Sequence, residues 1–552
     1  MTLVATGTGT GAAAGMAPDA GGARALLLLA SLGMALRLAL VWTGLCDNRV
    51  VADDAFYYFT IARHLVAGHG VTFDGLAPTN GFHPLWLLAL TPVFALTGAL
   101  RAGSWVGVHL ALSLCALLDL ASGALLWRLL RRLGCPRGAR WAAAVWLLSP
   151  VTVLLGLRGL ESALDVALVA VWLGVVVWAF EAGVPDARRG ALVGIATGLA
   201  FLARTDNGPL LGLALALATL AARLRPGADG AARGRGWGRA LGFLAAAGLV
   251  AALLALPWFA WNLASFGTPW QVSGAAKLAN PQIFGRVPAD PANTLRYLFA
   301  PVWVPVYFVA GESMKHRAAY EVFLRVAWTL LALLAPFVAR ALWRPRVAAQ
   351  TPLAVALLAF LAAHAAIYVL VLRTYVVWYA TVPVFLLVTL FAGLGADRLL
   401  GRLPRPARVA AALLALALAA AGFTQYFRAT GIVPHGEELV VRPILTRIAT
   451  QAPGTRTVGV FNAGAAGYFA PEIGPFTVVN LDGLVNNPSV AAWRAGRYFE
   501  YLDARVDVVI DDADGMLNFL LGAGNRARFD ARYPLWSPGS LVHGPRLQAP
   551  AR

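Results

Sequence analysis

Apolar runs about as long as a membrane is thick recur along this chain from Ala25 to about residue 424. The first, Ala25 to Leu45, holds 21 residues, close to the ~20 that cross about 30 Å of hydrocarbon. A cleaved signal would have a shorter apolar core and a small-residue cleavage site, so this run reads as an uncleaved span. Further runs lie near 104–127, 141–157, 162–180, 190–203, 208–222, 240–262, 321–341, 351–371, 376–396 and 407–424. Together they predict about eleven spans. Two of them, 190–203 and 208–222, are short and flank the polar break at 204–207. They read equally as a helical hairpin that stops short of crossing. The run Pro84 to Leu100 is about 17 residues long and contains Pro92, so it reads as a re-entrant or juxtamembrane helix.

Arginine placement orients the spans. Arg128, Arg131, Arg132, Arg137 and Arg140 follow one run, and similar breaks occur at 188–189, 223–239, 340–346 and 398–408. The positive-inside rule puts these loops in the cytoplasm. The N-terminus is then cytoplasmic and the C-terminus lies outside a plasma membrane, most naturally a bacterial inner membrane. Residues 1–23 read as a flexible cytoplasmic tail, and 24–425 as the transmembrane domain. Within it, 46–103 is the first outer loop with juxtamembrane helices, and 263–320 is a second large outer loop. The turns Arg158–Glu161, 204–207 and Arg373–Tyr379 share their side.

After residue 425 the pattern changes. Short apolar stretches at 457–462, 477–481 and 506–511 read as buried strands, and 437–451 and 489–502 as helices between them. Strands alternating with helices predict a small extracytoplasmic α/β domain over 426–552. Its run Phe461-Asn-Ala-Gly-Ala-Ala-Gly467 lacks the G-x-G-x-x-G of a dinucleotide fingerprint. It reads as a tight strand-to-helix turn or as a loop that binds sugar or acceptor. Asp482 and Asn486 carry the same two readings.

Composition agrees with lipid as the main solvent. The 552 residues are 59% hydrophobic and 13% charged, against about 45–50% and about 25% for soluble domains. That excludes a soluble multidomain chain, disorder, collagen and a disulfide scaffold. The net charge of +18 comes almost wholly from arginine, Lys277 and Lys315 being the only lysines. The arginines sit between apolar runs as topology signals, so the partner they imply is the bilayer and not nucleic acid. Cys46, Cys115 and Cys135 show no metal spacing. Arg37, inside the first span, either snorkels or faces other helices, or it stands as an inward cation near a phosphate path.

The first outer loop carries the strongest chemical signal. It reads Ala52-Asp53-Asp54-Ala55-Phe56-Tyr57-Tyr58, then Ala62-Arg63-His64, Gly68-His-Gly70, Phe73-Asp74-Gly75 and Phe82-His83-Pro84-Leu85-Trp86. Two adjacent carboxylates raise the pKa of at least one unless a cation or metal compensates. Asp54 has a simpler reading as the N-cap of a helix beginning at Ala55. The pair at a span exit, followed by aromatics, Arg63 and His83, favours chemistry.

This stretch resembles the first outer loop of the GT-C integral membrane glycosyltransferases, which carry an acidic pair just after the first span. The pattern is similar to bacterial members, among them mycobacterial arabinofuranosyltransferases and the lipid A aminoarabinose transferase. The resemblance implies a polytopic α-helical GT-C-like membrane protein with a small outer domain. It implies a polyprenyl-phosphate-linked sugar as donor and an envelope glycan, lipid or protein as acceptor. An acceptor hydroxyl would attack the anomeric carbon with inversion, and the lipid phosphate would leave. One carboxylate base suffices. Asp53 takes that role and Asp54 the orienting one, or the reverse.

Cations on the outer side would meet the phosphate. Arg158, Arg204, Lys277 and Arg373 qualify, with Arg63 and His83 in the first loop. Lys277 reads also as a solvated loop lysine, Arg204 with Asp206 as a structural ion pair, and His83 as a turn residue. Glu161 resembles a second acidic position of related transferases, or caps a helix. Trp270, Trp378 and Tyr379 read as interfacial belt aromatics or as sugar platforms. No full metal-ligand set stands in the sequence, so no cofactor is expected, with a divalent cation at the acidic pair as the alternative. The rival functions are a transporter or flippase of lipid-linked sugars, and a non-enzymatic envelope scaffold. No internal repeat supports the first, whose charges would lie near mid-membrane and not at the outer ends, and the second would not need an acidic pair at a span exit.

Overall fold

The computed structural model describes residues 20–45, 50–100, 103–224, 233–279, 287–288, 290–311, 316–431, 436–511, 516–522, 524–537 and 540–545. Most of the expected tail lies outside them, as does Cys46. Residues 20–23 of that tail are helical and open α1 (Ala20–Trp42).

Every run read as a span is helical. In chain order the membrane region continues with α2 (Asp53–Val66), α3 (Pro84–Ala99), α4 (Ser104–Arg132), α5 (Pro136–Leu148), α6 (Pro150–Gly156) and α7 (Ser162–Phe180). Then come α8 (Ala187–Ala203), α9 (Asn207–Arg223) and α10 (Arg233–Phe266). The stretch 263–320, read from the sequence as a second outer loop, is not open chain. It carries α11 (Val272–Ala279), α12 (Pro291–Leu298) and α13 (Ala300–Ala310). Last come α14 (Arg317–Trp343), α15 (Gln350–Val371), α16 (Val377–Leu400) and α17 (Arg405–Thr430). Among the described residues eight helices are long and apolar enough to cross a membrane, or nine if one bent pair counts as a span. The chain is a multi-pass membrane protein. Helices α8 and α9 fall short at 17 residues each, about 25 Å of rise. Gly190, Gly194 and Gly198 let α8 lie close against α10, as small-residue faces do in membranes. A Cβ at Gly190 would stand 2.2 Å from the Phe243 carbonyl oxygen.

The run 141–157, expected as one span, is the bent pair α5 and α6, at 58°. Ser149 precedes a proline and is extended (φ −69, ψ 136), as that position requires. Pro150 has no N–H for the Trp146 carbonyl four residues back. Arg37 fills the gap from α1. It donates to the carbonyls of Trp146 (3.4 Å) and Leu147 (2.7 Å) and pairs with Asp119 of α4 at 2.5 Å. Arg37 is fully buried, so it faces other helices and does not snorkel. Removing Asp119 strands this cation. Asp119→Ala is expected to cost about 3–5 kcal/mol, and replacing both partners by apolar residues to recover most of it. Thermal melting of the detergent-solubilised protein reads both.

The C-terminal region, read from the sequence as an outer domain and called that here, contains α18 (Gly436–Gln451), β1 (Thr457–Val460), α19 (Gly464–Phe469), β2 (Thr477–Asn480), α20 (Asn487–Arg494), α21 (Tyr498–Arg505) and β3 (Val508–Ile510). After α22 (Met516–Leu521) and α23 (Arg526–Arg532) comes a short β4 (Val542–His543). The sheet order is β2-β1-β3-β4, the first three parallel and β4 antiparallel to β3. Side chains alternate as strands demand. Val458, Val460, Val478, Val508 and Ile510 face one core, and Val479 and Val509 the other. The first core is continuous with Phe56, Phe59, Trp86 and Leu112 of the membrane region. The domain is thus packed onto the first outer loop and not merely tethered to it.

Candidate active site

Helix α2 begins at Asp53, so Asp54 lies inside the first turn and does not cap it; the N-cap is Ala52, without a side-chain cap bond. Successive helical residues point about 100° apart, and residues four apart share a face. The two aspartates therefore look in different directions, each with a tyrosine one turn on.

Asp53 and Tyr57 face the outer domain. The Asp53 carboxylate accepts from the backbone N–H groups of Gly464 (2.9 Å) and Ala465 (2.8 Å), at the start of α19. The Tyr57 hydroxyl accepts from Ala463 N–H (3.0 Å) and Asn480 Nδ2 (3.2 Å), and donates to Asp482 Oδ2 (3.3 Å). The glycine-rich run is thus a tight strand-to-helix turn, with Asn462 at φ 47, whose amides grip the first loop. Close approach requires the glycine: a Cβ at Gly464 would lie 2.0 Å from the Asp53 carbonyl oxygen.

Asp54 and Tyr58 face the membrane helices. Tyr58 donates to Glu161 Oε2 (3.1 Å) and accepts from His83 N–H (3.3 Å). Glu161 Oε1 accepts from Arg204 Nη1 (2.8 Å), and His83 Nε2 stands 3.7 Å from the same oxygen. Arg204 also meets Asp206 Oδ1 (3.0 Å) and donates to the Tyr368 hydroxyl (2.7 Å), which donates to Asp206 Oδ2 (2.5 Å). Tyr368 sits on a π-helical stretch at the end of α15 (Ala366–Val371), an irregularity often found at functional sites. Burial lowers the pKa of His83, so its ring is held neutral.

The Asp54 carboxylate has no hydrogen-bond donor among the described residues, and the residue is partly exposed. Burial raises its pKa; Lys277 opposes the rise, Asp482 and Glu161 add to it, and Arg158 opposes it. Burial likewise raises Asp482, against hydrogen bonds from Leu484, Asn480 and Asn462. Lys277, on α11, donates to the Tyr379 hydroxyl (2.8 Å). Arg158 is 6% exposed, with its guanidinium over the rings of Phe308 (4.9 Å) and Trp378 (5.1 Å). A partly open carboxylate on α2 therefore stands in the field of two cations and two further acids.

Two expected site residues are placed away from this cluster. Arg63 donates to the Tyr468 carbonyl (2.9 Å) and lies over its ring, on the contact between α2 and the outer domain. Arg373, at φ 49, donates to the Val287 carbonyl (3.3 Å) and pins the second loop. Trp378 and Tyr379 flank the site, while Trp270 is 67% exposed. Among the described residues no three His, Cys, Asp or Glu side chains converge to hold a metal ion.

Sequence reasoning left Tyr58, Tyr368 and Asn80 without roles. The i, i+4 spacing of Asp54 and Tyr58 was available as a signal for the first. Asn80 is fully buried and ties three segments together. Its Nδ2 donates to Asn262 Oδ1 (3.0 Å) and the Trp270 carbonyl (3.1 Å), and its Oδ1 accepts from Val272 N–H (3.0 Å) and Asn487 Nδ2 (3.0 Å). Val272 opens the helix that carries Lys277. Asn80→Ala orphans several buried groups at about 1–3 kcal/mol each, and is expected to lower melting and loosen α11 together. Faster hydrogen exchange confined to 270–279 and the first loop checks the second effect.

No protein-family model and no curated protein sequence matches this chain. Solved structures do. ArnT from Cupriavidus metallidurans, bound to undecaprenyl phosphate, matches with a TM-score of 0.56 at 16% identity, over 95% of this chain and 99% of that one. The archaeal oligosaccharyltransferase AglB from Archaeoglobus fulgidus, with an inhibitory peptide and a dolichol-phosphate, gives 0.55 at 16% identity, over 90% and 70%. An Archaeoglobus fulgidus oligosaccharyltransferase tethered to an acceptor peptide gives 0.58 at 15% identity, again over 90% and 70%. The architecture read from the first-loop motif is the one found: this chain has the fold of the GT-C membrane glycosyltransferases.

Proposed function

We propose that the chain is an inverting membrane glycosyltransferase, moving a sugar from a polyprenyl-phosphate donor to an envelope acceptor on the outer face of the membrane. The observation that carries this reading is Asp54, a partly open carboxylate opposed by Lys277 and Arg158. Asp54 is the general base. It takes the proton of the acceptor hydroxyl as the oxygen attacks the anomeric carbon from the face opposite the lipid phosphate. The bond from that carbon to the phosphate oxygen breaks, and Lys277 and Arg158 meet the charge that develops there. The departing polyprenyl phosphate is a weakly basic phosphate monoester anion, so no strong acid is needed. Asp53 holds α2 to the outer domain, and Glu161, Arg204, Asp206 and Tyr368 form the buried frame beneath the site. Asp482 is buried, and its oxygens accept from the Tyr57 hydroxyl and from the N–H groups of Asn462 and Leu484, which steadies the turn beside the site. The undecaprenyl phosphate and dolichol-phosphate in the similar solved structures support a lipid-phosphate donor.

The test is a transfer assay with purified protein in nanodiscs and a panel of radiolabelled polyprenyl-phosphate sugars. Release of sugar from one donor, lost in Asp54→Asn, is the expected result. No turnover, with tight donor binding that survives Asp54→Asn and Lys277→Met, would instead favour a flippase.

A further inference from the structure

A groove of about 690 Å³ lies between α1, α5, α13, α14 and α17, and shares no residue with the acid–cation cluster. Its walls are apolar, with Leu148, Val309, Leu330 and Ala419 among them, and its two charged side chains are Arg140 and Arg408. Arg408 stands in the first turn of α17 and Arg140 in the first half of α5, so both mark the arginine-rich face. Along α17 the lining reaches from Arg408 to Gly422, about 21 Å at 1.5 Å per residue. That is longer than the ~15 Å of hydrocarbon in one leaflet. The Nε of Arg408 is buried without a hydrogen-bond partner among the described residues. A buried guanidinium N–H without an acceptor is costly, and a phosphate oxygen is its natural partner.

An apolar trough that ends in two guanidinium groups is complementary to an acyl chain with an anionic head. We propose that this groove binds one anionic phospholipid from the leaflet on the arginine-rich face. Its phosphate lies between Arg140 and Arg408, and one acyl chain runs along α17. A polyprenyl tail would fill the trough but would leave Arg408 Nε without an acceptor, because its own phosphate is assigned to Lys277 and Arg158.

The test is native mass spectrometry of the full chain, titrated separately with phosphatidylglycerol and phosphatidylcholine. One phosphatidylglycerol retained per chain, in preference to phosphatidylcholine, is the expected result. Arg140→Ala with Arg408→Ala should weaken that retention about thirtyfold. Ala419→Trp, which fills the trough and keeps both arginines, should abolish it. Equal retention of the two lipids by the unmodified chain overturns the proposal without recourse to any variant. So does retention that the double arginine variant leaves unchanged, or displacement of the bound lipid by undecaprenyl phosphate.

Discussion

Replacing Asp54 by Asn is expected to lower transfer by about 10²–10⁴-fold, the range for loss of a positioned general base. The fold should survive. The Asp54 carboxylate has no hydrogen-bond donor among the described residues, so an amide of the same shape leaves no partner orphaned. Removing its charge even relieves repulsion from Asp482 and Glu161, which with burial raise its pKa. The same shift fixes the sign of the pH dependence. A base works only when ionised, so activity falls as pH drops through the pKa of Asp54. That acidic limb should lie above the 3.8 of an unperturbed aspartate. Asp53→Asn predicts the opposite division. It weakens the bonds to Gly464 and Ala465 N–H, a cap whose loss typically costs ~1 kcal/mol, and should lower melting while transfer drops less than tenfold. Initial rates and melting curves of both variants decide. Lost transfer with unshifted melting in Asp53→Asn, and near-normal transfer in Asp54→Asn, would exchange the two roles.

That division of labour shows what was legible in the sequence and what was not. The acidic pair marked the site because carboxylates at a span exit have few structural reasons to be there. Which of the two does chemistry was not settled by the pair itself. It follows from what packs on each face of α2, and Gly464 and Asp482 lie more than 400 residues downstream. Span positions were legible because lipid demands long apolar runs, and the strands of the outer domain because burial on both faces leaves short continuous apolar stretches. The break at Ser149–Pro150 was missed although the proline was visible, since apolarity continues through it. Arg37 was seen as anomalous, but its partner Asp119 is a lone acid in a long apolar helix. The second loop hid three helices, because α11 and α12 are eight residues each, too short for periodicity to declare them.

Lys277→Met is expected to reduce transfer by about 10²–10³-fold, the cost of losing one preorganised donor to a developing anion. The argument rests on which cations still have charge to offer. Arg204 is held by Glu161 and Asp206 and by the Tyr368 hydroxyl, so its charge is already matched by two carboxylates. Lys277 has three N–H donors and gives one to the Tyr379 hydroxyl. Burial works against its charge, yet Tyr379 and Asp54 outweigh that and raise its pKa, so the ammonium persists at neutral pH. Two N–H groups then remain for a phosphate oxygen in a site of low dielectric. Because the charge grows as the bond to the anomeric carbon breaks, the loss should fall on kcat more than on KM. Lys277→Arg keeps the charge but not the compact reach, and should restore part of the rate. Arg204→Met should act differently, leaving the buried Glu161 and the half-buried Asp206 without their cation and unfolding the site, visible as a lowered melting temperature. A Lys277→Met enzyme with normal kcat and a raised KM would show that the lysine binds donor and transition state alike. An unchanged enzyme would move the phosphate to Arg158, whose guanidinium between Phe308 and Trp378 is the remaining cation acting on Asp54.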